Sequence, residues 1–559
     1  MTLMQQIFSK MSFSYRRKYI IVALILFVCF SLKLFVNYLE MDFQQKNSIL
    51  YELSQLSYQK RNASNCIISD YDPFDASIKR YITKWPAIDC GTPQLPLTYL
   101  DNNGFIKVNM SAVKKSKIPR NSIHCIYQEV LRPRKDDSHF KLGDPKYLLK
   151  KAKINASSVV VQCFGKNKLI YESSHLQVLP LEPELDRKSK KALKVHGINV
   201  LIFCIDSISR LNFIRQLPKT YNLITQEFKF DVLKGLTKGY VTMCLEDSTK
   251  TSLFNFHTGG FIQPPTNYYT RPFWLALEKQ TEIVSSDKRC KGHVPQHQFF
   301  MKYYDQFVNK MQQGRNAFFS FGLLDKLSHN KLNSVQVLDD ELAAFVTRLN
   351  TSGVLENTFI LLLGDHGHRF ADIRQTKIGR IEENMPFLGI HLPESLKHLR
   401  ENIRFGYHGL SLFRPISADR TCSEIGIPQK YCICSQEKEL DLDDPRVLDS
   451  AHLLMDHVNQ LLKPHANLCA ELTLDTVISS QLLIPYDYSY NTKPSDSETQ
   501  VRVLVSAVPS GAMLEGLVVL KTGSSKIEGE VNRINEYGKQ SACIDDTYVT
   551  AQMYCFCKH

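Results

Sequence analysis

The middle of this sequence predicts an α/β fold, a mostly parallel sheet with helices on both faces, on three observations. First, apolar runs of strand length recur: INVLIFCI (198–205), YVTMCLE (240–246), AFFSFGLL (317–324), NTFILLLG (357–364) and PFLGIHL (386–392). Second, these runs are apolar almost throughout rather than at alternate positions, as strands covered on both faces are. Third, amphipathic stretches separate them. In 334–350, Val335, Leu338, Leu342, Phe345, Val346 and Leu349 recur at helical spacing, with Gly353 just beyond as a stop signal. Strands alternating with helices build a parallel sheet.

The remaining segments follow in chain order. Residues 1–18 read as a cytoplasmic tail, and YIIVALILFVCFSLKLFVNY (19–38) as a transmembrane signal anchor. Its 20 residues suffice to cross a bilayer, and its one charge, Lys33, can snorkel to the interface. Lys10, Arg16, Arg17 and Lys18 precede it, while Glu40 and Asp42 follow. The positive-inside rule then places everything after it in the lumen or outside the cell, a single-pass type II protein of the Golgi or plasma membrane. A cleaved signal peptide is the rival reading, but no small-residue cleavage site ends the run. Residues 39–60 read as a stalk. Residues 61–190 read as a β-rich module, with short runs such as SSVVVQCF and HLQVLPL. The α/β core is expected over 195–435. A mixed C-terminal module follows over 436–559, with one helical stretch (VLDSAHLLMDHVNQLL) and later β-like runs (VRVLVSAV, LEGLVVLK).

Composition narrows the class. The 559 residues suggest two to four domains, and 43% hydrophobic with 22% charged residues is ordinary for globular protein. The net charge is +13, but the basic residues are scattered and form no zinc-finger, basic-zipper or RNA-binding signature, which argues against nucleic acid. Weak attraction to anionic membranes or acidic glycans accounts for the charge as well. Most of the 15 cysteines lie in polar contexts, including YCICS and YCFCKH, and are expected as disulfides; Cys204 sits in a buried-looking strand. No C-x-x-C pair supports structural zinc. Four glycosylation sequons, at Asn62, Asn109, Asn155 and Asn350, lie on the expected lumenal side. Oligomeric state is not readable.

In open α/β sheets function gathers beyond the carboxyl ends of the strands. There the sequence places Asp206-Ser207, Glu246-Asp247-Ser248, Asp325 with His329, and Asp365-His366 in GDHGHRF. Singly, an Asp after a strand usually caps a helix, and a lone His is usually a hydrogen-bonded surface residue. Together, carboxylates and imidazoles at four strand ends suit zinc or manganese. A two-metal site favours in-line displacement at phosphate or sulfate esters. No H-E-x-x-H, G-x-S-x-G or Walker loop points elsewhere.

The segments FCIDSISRLNFIRQLPKT, GYVTMCLEDS, DKLSHN, LLLGDHGHRF and YHGLSLFRPISADRTCSEIGIPQKYC together resemble domain-of-unknown-function family 229 of the alkaline phosphatase superfamily. The resemblance covers about 60 to 450. It implies an alkaline-phosphatase-like core with two divalent metal ions, taken as zinc. Asp206, Asp365 and His366 would hold one ion; Asp325, His329 and His408, the last in YHGLSLF, would hold the other. It further implies a phosphorylated or sulfated small molecule or glycan as ligand. The intact mechanism would pass through a covalent phospho- or sulfo-enzyme.

Relative to that family, a segment resembling G-D-N-T-F-P-N, which carries the nucleophile, is missing near 234–240, and a second stretch is missing near 400–407. Of the residues left, Thr237 is a weak candidate nucleophile. Thr242 is expected to pack within its strand, and Ser207 to cap a helix. The sulfatase C/S-x-P-x-R signature is absent, and CGTPQ (90–94) has the wrong spacing. The expectation is therefore a membrane-anchored relative of two-metal ester hydrolases with impaired catalysis. The alternatives are a non-catalytic surface protein binding glycans or phosphorylated ligands, and a purely structural ectodomain whose acids cap helices.

Overall fold

The computed structural model describes residues 71–558, apart from 91–94, 225–238, 281–288, 397–421, 423–426, 486–498 and scattered positions. The tail, anchor and stalk expected at 1–60 lie outside the described residues, as do Thr237 and His408. Among the described residues no helix is long and apolar enough to cross a membrane.

The first region is antiparallel. Strands β1 (Thr98–Leu100), β2 (Phe105–Val108), β3 (Ile123–Leu131), β4 (Lys141–Leu142), β5 (Lys146–Leu148), β6 (Lys151–Lys153), β7 (Ser158–Gly165) and β8 (Lys168–Leu176) form two small sheets. One runs β1-β2-β6 and the other β4-β3-β7-β8, with β5 on β3. Cys125 and Cys163 are directly opposite on β3 and β7 and form a disulfide.

The core begins with helix α1 (Pro183–His196). Its limits follow from local chemistry: Pro183 starts it, Glu184 and Asp186 sit in the first turn, and Gly197 ends it in the left-handed region at φ +70°. Then come β9 (Asn199–Ile205), α2 (Arg210–Gln216), β10 (Val241–Glu246), β11 (Tyr268–Tyr269) and α3 (Arg271–Lys279). A short ribbon, β12 (Cys290–Lys291) with β13 (Val294–Pro295), leads into α4 (Gln296–Gly314), β14 (Phe318–Leu324), α5 (Asp339–Thr351), β15 (Thr358–Gly364), α6 (Lys377–Asn384) and β16 (Leu388–His391).

The central sheet runs β11-β10-β14-β9-β15-β16. Every pair is parallel except β15 with β16, which is antiparallel. The five apolar runs are thus all strands of one sheet. Alternate residues of β9 enter two cores. Leu201, Phe203 and Ile205 pack with Phe300, Tyr304 and Phe345 of α4 and α5, while Val200 packs with Phe359, Ile390 and Leu392 on the other face. Both faces are covered, which is why these strands carry no polar alternation. The helical stretch expected over 334–350 is divided: Ser334–Leu338 is a tighter 3-10 turn, and the α-helix starts at Asp339, where three acids (Asp339, Asp340, Glu341) favour its positive end.

The C-terminal part is a second sheet with one long helix. It contains β17 (Ser435–Glu439), α7 (Pro445–Leu462), β18 (Thr473–Pro485), β19 (Thr499–Val508), β20 (Ala512–Leu520), β21 (Lys526–Ile527) and β22 (Asn532–Arg533). Asp444 caps α7 by accepting from the Arg446 amide, and Pro445 occupies its first position. Val447, Ala451, Leu454 and Val458 of α7 share a core with Val501, Val503, Val505 and Leu514 of the sheet. Two disulfides, Cys469–Cys555 and Cys543–Cys557, close this module. Arg374, just before α6, reaches Glu515 of β20, and Arg380 of α6 reaches Glu437 of β17 at 3.0 Å. Burial alone would raise the Glu515 carboxyl, but Arg374, Arg502 and Arg380 together hold it below its usual range.

Candidate metal centre

Three of the expected ligands leave adjacent parallel strands at the same end. Asp206 follows β9, Asp325 follows β14, and Asp365 follows β15. Backbone bonds lock the order, the Asp206 amide donating to Leu324 O at 3.0 Å. Glycine makes the closest approach possible. A Cβ on Gly364 would lie 2.2 Å from the Ile208 carbonyl, so only glycine lets the 206–209 segment cross the end of β15. Gly367 does the same against the Glu382 carbonyl, at 2.1 Å, seating the DHGH loop on α6.

Five of the six ligands expected from the resemblance fall into two groups that share one residue. The potential donor atoms of Asp206, Asp325 and His329 lie within 4.8 Å of one another, and so do those of Asp206, Asp365 and His366. Asp206 therefore belongs with both sets, rather than with Asp365 and His366 alone. His408 lies outside the described residues.

Four details fit a divalent cation. His366 Nδ1 lies 2.7 Å from the Gly367 carbonyl and His329 Nδ1 2.9 Å from Asn330 Oδ1, so in each ring Nε2 is the nitrogen left to face the acids, that of His366 lying 3.3 Å from Asp365 Oδ2. Asp325 is buried, and its Oδ1 has no hydrogen-bond partner among the described residues. Burial first, and then the charges of Asp365 and Asp325, push Asp206 far above the usual carboxylate range. Crowded buried acids of this kind are stabilised by a cation between them. Burial, partly offset by the Asp365 charge, moves the His366 imidazole below its ordinary value, keeping the ring in its metal-binding neutral form.

The fourth strand end behaves differently. Glu246 ends β10 and Asp247 and Ser248 follow it to the same rim, but none of the three joins either group. Asp247 is fully buried and braces its neighbour: its Oδ1 accepts from the Asp325 amide at 2.7 Å and the Lys326 amide at 3.3 Å. Burial, then the Asp325 charge, pushes its carboxyl up to about 7. Glu246 Oε1 accepts from the Leu253 amide at 2.8 Å. Thr251, which the sequence gave no reason to single out, donates its hydroxyl to Asp325 Oδ2 at 2.6 Å and lies 2.6 Å from the Ser248 hydroxyl.

Ser207 needs correction. It does not cap a helix: Ser209 caps α2, accepting from the Asn212 amide. Ser207 sits instead at φ +57°, in a left-handed conformation unfavourable for a residue with a Cβ. From there its hydroxyl donates to Asp206 Oδ1 at 2.5 Å and its amide to Asp365 Oδ1 at 3.0 Å. Ser209, and not Asp206, thus caps α2. Thr242 is in β10 as expected, with its hydroxyl on Asn267 at 3.0 Å. His368, left without a role by the sequence, is buried near His329 and His366; burial pushes its imidazole down to about 4.

Among the described residues Cys543, Cys555 and Cys557 also lie close enough to surround an ion, but all three are consumed in disulfides and offer no thiolate. Disulfides are thus established for ten cysteines. One of them, Cys90–Cys290, joins the segment before the β-rich module to the core. Cys204 and Cys244 are free and buried.

Fold and site together define an α/β protein with a candidate divalent-metal centre at the carboxyl ends of a parallel sheet. The chain belongs to the family described as protein of unknown function (DUF229), whose profile matches residues 83–238, 236–404 and 400–478. Consecutive matched ranges overlap at 236–238 and at 400–404. No curated protein matches the sequence. Among solved structures, the chain is similar to an alkaline phosphatase superfamily protein from Vibrio parahaemolyticus, at 13% identity over 64% of this chain and 85% of that one, with a TM-score of 0.24. It is similar also to the PsFucS1 sulfatase from Pseudoalteromonas sp. (14%, 38% and 66%, TM-score 0.19). A third is the lipoteichoic acid synthase LtaP from Listeria monocytogenes (10%, 64% and 90%, TM-score 0.24). Scores of this size do not equate the folds, and the architecture above rests on the chain's own sheet order.

Proposed function

We propose that this chain is a membrane-anchored extracytoplasmic protein whose core binds phosphate or sulfate esters at a two-metal centre, and that its hydrolytic step is impaired. The observation that carries the reading is the sharing of Asp206 between two groups of potential ligands. Asp325 and His329 would complete one position with His408, and Asp365 and His366 the other. Zinc suits the mixture of imidazole and carboxylate donors. When bound, divalent ions there supply charge neutralisation at the ester oxygens.

The chain's own residues do the positioning. Ser207 aligns Asp206 and Asp365, Asp247 and Thr251 align Asp325, and the Gly367 carbonyl orients His366. The impairment rests on sequence grounds: against the family it resembles, the nucleophile segment is expected to be missing near 234–240, where Thr237 is the weak candidate left. The second reading is a surface protein that holds phosphorylated or sulfated ligands without cleaving them. The anchor at 19–38 and the lumenal placement belong to this proposal on sequence grounds.

Metal analysis of the purified chain, followed by assay against aryl phosphate and aryl sulfate esters, tests it. Bound zinc or manganese with little or no turnover is expected. A chain that binds neither metal sinks the centre, and turnover at an ordinary enzymatic rate of about 10 per second overturns the impairment.

A further inference from the structure

Asp365 and His366 open onto a cleft of about 420 Å³, within the range of small-molecule sites. Its far wall is not part of the core: Glu530, Asn532, Arg533 and Met553 come from the C-terminal module. The charges around it cancel, because Arg369, Arg374 and Arg533 are matched by Asp365, Glu383 and Glu530. A second strongly charged group would find no net field there. A neutral group rich in hydroxyls would find donors and acceptors on all sides.

Specific donors are waiting. Arg374 is fully buried; one nitrogen, Nη2, serves Glu383 and Glu515, while Nε and Nη1 have no partner among the described residues. Both nitrogens are closed off from solvent, so Arg374 sets the charge of the cleft wall, and the groups that can reach a ligand are its exposed neighbours. Arg369 is exposed at the mouth, with no bonded partner among the described residues. Asn384 and Asn532 offer amides that both donate and accept, and Phe370 and Tyr431 offer ring faces.

We propose that this cleft holds the part of the ligand that is not the phosphate or sulfate, and that this part is a neutral sugar read by the C-terminal module. The proposal rests on the ester-binding centre above and names the ligand class for it. It also gives a task to residues 530–553, the least legible stretch of the sequence.

The test is calorimetry on the zinc-loaded full chain with four probes: methyl phosphate, N-acetylglucosamine 6-phosphate, its 6-sulfate, and inorganic pyrophosphate. One or both sugar esters should bind about tenfold more tightly than methyl phosphate, the gain from roughly one well-made set of hydrogen bonds. Asn532→Ala, and Met553→Trp to fill the cleft, should erase that gain while leaving methyl phosphate affinity and zinc content unchanged. Equal binding of sugar esters and methyl phosphate overturns the proposal. So does a preference for pyrophosphate that Asn532→Ala leaves intact, because the cleft would then serve a second anion. If neither zinc nor methyl phosphate binds, the ester centre has failed by itself. Unsubstituted N-acetylglucosamine then reads the cleft alone: binding abolished by Met553→Trp upholds it, and no binding overturns it.

Discussion

Ser207 donates its hydroxyl to Asp206 across 2.5 Å while its own backbone is held at φ +57°. Strain of this kind costs on the order of 1–2 kcal/mol and persists only where surrounding structure enforces it. The two properties are separable by mutation. Ser207→Ala keeps the strain and loses the bond; Ser207→Gly loses both. The glycine variant should therefore be more stable than the alanine variant by about 1 kcal/mol in chemical denaturation. Both should bind zinc roughly 10-fold more weakly than the parent, as loss of an outer-shell partner does. Equal stability of the two variants would remove the strain argument.

Asp206 is the residue common to both groups of ligands. Asp206→Asn should weaken binding at both positions, whereas His329→Ala should leave one ion per chain. Metal stoichiometry by elemental analysis after dialysis distinguishes the two. Retention of two ions by Asp206→Asn would show that the groups do not share it.

The pH dependence follows from two opposed sets of groups. Asp206 and Asp247 have folded pKa values raised above their unfolded ones, by burial first and by neighbouring acids second. Their contribution is complete below the unfolded carboxylate value and is lost as pH rises through the raised values, which for Asp247 is about 7. His368 works the other way. Its folded value is depressed to about 4, so its contribution is present above the unfolded histidine value and is lost as pH falls. A bound cation removes the penalty on Asp206 alone. The gap in Tm between zinc-loaded and chelated protein should thus widen from about pH 5 to about pH 8. A constant gap would mean that Asp206 is not where the ion binds.

Arg215 of α2 and Glu382 of α6 form a bidentate pair, both bonds at 2.6 Å, with both side chains almost wholly buried. Ser209 adds a third bond to the same carboxylate at 2.7 Å. Glu382→Ala leaves a buried guanidinium uncompensated and should cost about 3–5 kcal/mol in denaturant unfolding. Because α6 also seats the DHGH loop through Gly367, metal affinity should fall with it.

What the sequence revealed, and what it hid, divides by the range of the forces involved. β9, β14 and β15 were legible because burial on both faces leaves almost no polar position along a strand. Asp206, Asp325, His329, Asp365 and His366 were legible because they follow directly on such strands. Asp247 was misleading. It stands at a strand end like the others, yet it braces Asp325, and only the spatial order β10-β14-β9 decides between the two roles. Thr251 was invisible because its bond to Asp325 spans 74 residues. Ser207 looked like a cap because no sequence rule reports a positive φ. The C-terminal module gave up α7 and two strands but not its contact with the cleft, since Asn532 and Met553 carry no chemical signature of their own.

The bond between Cys90 and Cys290 spans 200 residues. During synthesis at about 5–20 residues per second, Cys90 emerges roughly 10–40 seconds before its partner exists. Cys125, Cys163, Cys204 and Cys244 are made in that interval, and any of these thiols can react with Cys90 or with one another. The chain thus depends on disulfide exchange to release wrong early pairings. A truncated product ending before residue 290 would carry Cys90 without the partner that ties it to the core.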